Sequence, residues 1–280
     1  MLGKTRQTVS FDAASGPPRG ILRRTLTPGA FVHSRRAPAP ELMPWIMHYW
    51  LVSWEVPPGV RHRVETLPHP NVQLVFSSNS PAGAFVHGVF PAKFARILEG
   101  RGTVFGVKFQ AGGFRGFYRR DVVELRGKTV AAKEIFGPDI ETLLPALTGA
   151  RTGSQKIAAA NRFFQARLPS EDSQARLAAS AVQLAATDSS IQTTRDLAAR
   201  MRLGERSLQR LFGGYVGVAP KWVIQRFRIH ELVERIHAGE TLDWASLAQE
   251  LGYFDQSHLI GDFRRLTGCS PERYRRAGGR

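Results

Sequence analysis

The sequence predicts an α+β multidomain protein. A β-rich amino-terminal domain, an antiparallel sheet or barrel, precedes an all-α domain of two helix-turn-helix units joined by a linker helix. Three observations carry this prediction. Apolar residues alternate with period two between residue 40 and about 110, a helical unit is written twice within about the last ninety residues, and the first 36 residues are basic without sustained periodicity. The boundaries that follow are a disordered arm over 1–36, a β-rich domain over 37–135, a helical linker over 136–178 and the duplicated helical domain over 179–280.

The arm holds Lys4, Arg6, Arg19, Arg23, Arg24, Arg35 and Arg36 against the single acid Asp12. With Gly and Pro interspersed, it cannot bury enough apolar surface to order itself. It is read either as a nonspecific DNA contact or as a solvated tail. Its Arg-rich composition also matches that of organelle transit peptides, which the bacterial-type helical domain argues against.

In the next segment Ile46, His48, Trp50, Val52 and Trp54 alternate with Met47, Tyr49, Leu51 and Ser53. Val72, Leu74 and Phe76 form a second such run, and Thr103, Phe105, Val107 and Phe109 a third. Period two places successive side chains on opposite faces, hence strands. Pro57-Pro58-Gly59, Pro70-Asn71 and the stretch from Ser77 to Gly83 supply turns. Gly112-Gly113 then leads into a helix with Phe114, Phe117 and Tyr118, and further helices are expected around 139–147 and 154–167.

The duplicated unit begins at Thr193, an N-cap with Asp196 three residues on. Leu197, Ala198 and Met201 form an inward face, Arg202-Leu203-Gly204 the turn, and Leu208, Leu211 and Phe212 the facing stripe of a second helix. Fifty positions later Leu247, Ala248 and Leu251 repeat the first face, and fifty-one later Leu259 and Phe263 repeat the second, with Asp243 and Asp255 as caps. Between the copies, Pro220 starts a helix to about His237, roughly 27 Å long at ~1.5 Å per residue. Adjacent major-groove faces on one side of DNA lie about 34 Å apart, so such a helix suits two helix-turn-helix units in neighbouring grooves.

The segment FDQSHLIGDFRRLTGCSPERYRR, from Phe254 to Arg276, resembles the C-terminal signature of AraC/XylS-type transcription regulators. ERSLQRLF, from Glu205 to Phe212, resembles the first recognition helix of the same domain, and FGVKFQAGGF, from Phe105 to Phe114, a segment of some of its amino-terminal domains, with Ala111 in place of an expected proline. The resemblance implies a DNA reader behind a domain that senses a small ligand, mediates dimerisation, or both. It places Arg206, Gln209 and Arg210 at base-reading positions, and their donor-rich side chains suit guanine and adenine edges. In the second unit the matching outward positions are Ser257, His258, Ile260 and Gly261, preceded by Gln256, so Gln256, Ser257 and His258 are its base-reading candidates and the head is the poorer one. Lys221, Arg226, Arg264 and Arg265 are expected on phosphates, which position without specifying sequence. Gly213, Gly214 and Gly261 stand where relatives commonly carry charged residues, and Asp262 is expected in an ion pair with Arg228.

Net charge adds little to the DNA reading. The chain carries +16, but residues 171–280 hold sixteen Lys and Arg against thirteen Asp and Glu, a net of +3. Trp45, Trp50, Trp54, Phe76 and Phe105 are candidates for a ligand pocket, against the reading of aromatic strand residues as core. His33, His48, His62, His69 and His87 raise a metal-dependent β-barrel enzyme fused to a DNA-binding domain as the alternative function, but no HxH or HExxH spacing fixes ligands. No catalytic motif or phosphate-cradling glycine loop is present, and the single cysteine, Cys269, falls in a turn of the helical domain, so no cofactor or enzymatic activity is expected. A third reading is a dimerisation or scaffolding protein with a decayed DNA head. The expected partners are double-stranded DNA at a promoter or operator, a small-molecule effector, a second copy of the chain, and RNA polymerase if the protein activates. No apolar run is long enough to span a membrane, and the single cysteine is consistent with the cytoplasmic location that is expected.

Overall fold

The computed structural model describes residue 22 and residues 30–78 and 83–277. Most of the basic stretch lies outside these residues, yet its last seven residues are not an arm. Ala30–Arg36 is strand β1, paired antiparallel along its length with β2 (Ile46–Glu55), Ala30 opposite Glu55 and Arg36 opposite Tyr49. It forms a sheet edge, where charged side chains are common because they deter edge-to-edge pairing. Composition therefore reads it as disordered while the β2 backbone satisfies it.

The remaining strands are β3 (His62–Thr66), β4 (Gln73–Ser77), β5 (Ala84–His87), β6 (Phe94–Leu98), β7 (Arg101–Phe109) and β8 (Thr129–Ala131). Six form one antiparallel sheet in the order β1-β2-β7-β4-β5-β8, while β3 and β6 pair separately. The period-two pattern separates the faces of the larger sheet. Tyr49, Leu74, Phe76, Phe105 and Val107 point to one side and are buried there.

That side is sealed by helices α1 (Arg115–Tyr118), α2 (Lys133–Phe136), α3 (Ile140–Gly149) and α4 (Gly153–Gln165). Phe109, Phe114, Phe117, Phe136, Phe163 and Phe164 meet with ring centroids 4.8 to 6.3 Å apart, several edge to face, the arrangement aromatic quadrupoles favour. The segment expected as a linker over 136–178 is divided by this packing. Leu143, Leu147, Ala160 and Phe164 of α3 and α4 belong to the sheet's own core, and only α5 (Ser173–Thr187) packs with the helices that follow.

Those helices are α6 (Thr194–Arg200), α7 (Glu205–Tyr215), α8 (Pro220–Ala238), α9 (Trp244–Glu250), α10 (Gln256–Thr267) and α11 (Pro271–Arg276). Leu197, Ala198, Leu208, Leu211 and Phe212 form one core with α5, and Leu247, Ala248, Leu251, Leu259 and Phe263 form a second. Helix α8 spans both, giving Val223 and Ile224 to the first core and Ile229, Leu232, Val233 and Ile236 to the second. The β-rich part also enters each core, Val89 and Ala111 the first and Leu67 the second. No helix among the described residues is long and apolar enough to cross a membrane.

Candidate nucleic-acid interface

Local chemistry sets the helix starts. The Thr193 hydroxyl accepts from the Asp196 amide while the Asp196 carboxylate accepts from the Thr193 amide, a reciprocal capping box. Asp243, Asp255 and Ser270 cap α9, α10 and α11, whereas Ala219 leaves α8 without a side-chain cap and relies on Pro220 at its first position. Each turn between paired helices passes through a left-handed residue, Arg202 at φ 53° in the first unit and Gly252 at φ 74° in the second.

On α7 the buried stripe of Leu208, Leu211 and Phe212 leaves Arg206, Gln209 and Arg210 exposed together. On α10 Gln256, Ser257 and His258 are exposed at the amino-terminal end, Ile260 is half-buried, and a side chain at Gly261 would meet only open space. Phe254, two residues before α10, is 91% exposed. Sequence reading named it only within a motif, and a single exposed apolar side chain is ordinary on a protein surface.

The basic residues divide. Lys221 and Arg264 are exposed, and Arg265 is exposed but held 3.0 Å from Asp262. Arg226 does not fit a phosphate contact: it is 6% exposed, its guanidinium lies 4.6 Å from the Trp222 ring centroid, and Nε and Nη1 have no hydrogen-bond partner. Burial pushes its pKa down to about 10 despite the opposing pull of Asp262. The expected Asp262–Arg228 pair does not form either. Asp262 accepts from the Tyr253 hydroxyl at 2.8 Å and pairs with Arg265 one turn along α10, while Arg228 donates to the Asp188 and Ile191 carbonyls at 2.9 and 2.8 Å. Arg228 thereby ties α8 to the loop before α6.

Gly214, which looked like a lost DNA contact, and Gly217 are docking points for the β-rich domain. A Cβ on Gly214 would lie 3.1 Å from Arg115 Nη1, which donates to the Gly214 carbonyl, and the same guanidinium lies 4.7 Å from the Tyr215 ring centroid. Gly217 combines φ of 90° with Val122 at 3.0 Å, a conformation and a clearance that only glycine meets easily.

The five aromatic pocket candidates do not share a pocket. Trp45, Phe76 and Phe105 are core on the helix-covered side of the sheet, while Trp50 and Trp54 pack on the other side with Leu98 and Val104. On that side they stand with Arg35, His48 and Lys108, of which sequence reading had placed Arg35 in the disordered arm and raised His48 only as a metal question. Among the described residues, no three His, Cys, Asp or Glu side chains come together to hold a metal ion.

Residues 34–131 match a family described as a domain of unknown function (DUF6597), and residues 197–277 match one described as a helix-turn-helix domain. No curated protein matches the chain. Among solved structures, the chain is similar to the C-terminal domain of AraT, a response regulator from Geobacillus stearothermophilus, at 21% identity over 38% of this chain and 88% of that one, with a TM-score of 0.34. It is also similar to ToxT from Vibrio cholerae O395, at 12% identity over 81% of this chain and 96% of that one, with a TM-score of 0.41. ToxT from Vibrio cholerae strain SCE256, solved with an unsaturated fatty acid bound, is similar at 10% identity over 79% and 88%, with a TM-score of 0.36. At these identities and scores the likeness decides nothing about function. The helix-turn-helix match covers both duplicated units, and residues 197–277 are an AraC-type helix-turn-helix domain, a DNA-binding module of transcription regulation.

Proposed function

We propose that the protein is a sequence-specific transcription regulator that sets α7 and α10 into adjacent major-groove segments of a promoter or operator. The observation that carries this is the shared helix: α8, 19 residues and hence about 28 Å long, is core to both units, a length that suits two units in groove faces about 34 Å apart. Arg206, Gln209 and Arg210 read bases in the first segment, with Gln256, Ser257 and His258 reading fewer in the second. Lys221, Arg264 and Arg265 contact phosphates. The β-rich domain serves as effector or dimerisation module, and RNA polymerase is the further partner if the protein activates. The reading of a decayed DNA head rested on Gly213, Gly214 and Gly261, and of these Gly214 has an account in domain docking.

Selection from randomised duplexes tests this. The bound site is expected to be asymmetric, with most base information in the half read by α7. Arg210→Ala should cost about 1 to 3 kcal/mol and relax preference at one or two positions. Equal information in both halves contradicts the assignment of reading heads, and no selection at all contradicts the function.

A further inference from the structure

The face of the six-stranded sheet turned away from the phenylalanine core is not a second dry core. Directly opposed residues of antiparallel neighbours share a face, so the register sets Arg35, Trp50 and Gly106 in one row and His48, Lys108 and Gln73 in the next. The rows are two residues apart along each strand, about 7 Å. The small β3/β6 sheet closes one end of this face through Leu98, which packs with Trp54 and Val104. Arg35, His48, Trp50, Gln73 and Lys108 all stay half-buried, whereas Tyr49, Leu74 and Val107 on the opposite face are 0% exposed.

The charge on this face is uncompensated among the described residues. Burial and the nearby Arg35 guanidinium push the Lys108 ammonium down to about 7. Burial, with Lys108, Arg35 and His33, pushes the His48 imidazole down to about 3. No carboxylate contributes to either group or to Arg35, whose Nε has no hydrogen-bond partner. Cations withdrawn from water are ordinarily paired, because an unpaired one costs the free protein stability that an arriving anion restores. Trp50 adds a flat wall beside them. A Cβ on Gly106 would lie 1.9 Å from the indole, so the ring lies directly on the glycine, fixed by its N–H donating to Gln73 Oε1 at 3.1 Å.

We propose that this face binds a small organic carboxylate with a flat apolar body, Arg35 and Lys108 holding the carboxylate and Trp50 stacking on the body. Charge complementarity selects a small anion over the chain's own first 29 residues, which carry five Lys and Arg and one acid. Its role as an effector site rests on the regulator reading above, whereas the binding itself does not.

The test titrates the full chain with phenylacetate, with phenylacetamide as the uncharged isostere and inorganic phosphate as an anion without a flat body, following tryptophan fluorescence and Tm. Phenylacetate should give a saturable signal and raise Tm, and the amide and phosphate should each bind at least about tenfold more weakly. Lys108→Met and Arg35→Met should each weaken phenylacetate by about tenfold or more while leaving the ligand-free Tm unchanged or higher. The proposal is overturned if phenylacetate gives no response up to about 10 mM, if the amide or phosphate binds as well, or if both variants lower the ligand-free Tm. Duplex selection on the same wild-type sample separates the two readings. Selection without phenylacetate binding defeats only the ligand proposal, and phenylacetate binding without selection defeats only the regulator.

Discussion

Arg202 shows how one residue departs from the rule its own duplicate obeys. It occupies the left-handed turn position that Gly252 occupies fifty residues later, at φ 53° against 74°, and an L-residue there carries about 1 to 2 kcal/mol of strain. Arg202→Gly should stabilise the protein by up to about 1 kcal/mol, the balance being lost to the greater freedom of glycine in the unfolded chain. Chemical denaturation checks it, and a loss of stability would assign the Arg202 side chain a contact that outweighs the strain. Arg226 gives a second residue-scale prediction. Because its guanidinium is buried against Trp222, Arg226→Met should leave the salt dependence of DNA binding unchanged, whereas Lys221→Ala should reduce the slope of log affinity against log salt by about 0.9. Equal reductions from both would return Arg226 to the phosphates.

At the scale of an element, α7 is held at its far end by the β-rich domain while its near end faces solvent. Arg115 stacks on Tyr215 and bonds the Gly214 carbonyl, Val122 abuts Gly217, and the Tyr215 hydroxyl donates to Asp172 at 2.8 Å. Neighbouring glycines therefore respond oppositely to the same change. Gly213→Ala meets nothing within 4 Å and lies inside the helix, so it should raise stability by up to about 1 kcal/mol. Gly217→Ala meets Val122 in a left-handed conformation and should lower stability by about 1 to 2 kcal/mol. Denaturation midpoints of the two variants, measured side by side, check the sign of each. The same contacts join the β-rich domain to the carboxy-terminal end of α7, so a change in Arg115 or Val122 is a change at that end of the helix.

At the scale of the whole molecule, the half-buried histidines of the sheet make stability depend on pH. His48 is pushed down to about 3 by burial, Lys108, Arg35 and His33, and His33 to about 4 by burial and Arg35. The unfolded chain therefore binds protons that the folded chain refuses. Stability from each group is complete above the ordinary histidine pKa near 6.5 and is lost as pH falls towards 4 and 3, by about 1.4 kcal/mol per pH unit per histidine. Lys108 acts above neutrality in the same sense: its folded pKa of about 7 lies below the ordinary lysine value, so stability rises with pH between about 7 and 10.4. Tm measured from pH 4 to 7 should climb steeply in the wild type and less steeply in His48→Gln. Parallel profiles would show that His48 does not titrate in the unfolding reaction.

What the sequence by itself determined was whatever depends on neighbours along the chain. Thr193 with Asp196, Asp243, Asp255 and Ser270 are legible as caps because each acts on amides two or three residues away. The inward stripe of Leu208, Leu211 and Phe212, and with it the outward set of Arg206, Gln209 and Arg210, follows from helical period alone. Tertiary structure decided the rest, because the deciding partner is distant in sequence. Lys221 and Arg226 look alike on one helix until Trp222, Tyr253 and Asp262 close around Arg226. Period two splits Trp50 from Tyr49, but only the register of β2 against β7 places Trp50 over Gly106 beside Lys108 and leaves Phe105 in the opposite core. Alternation states that a strand has two faces; which face is dry is settled by the layer that packs on it, here the phenylalanine-rich helices α1 to α4.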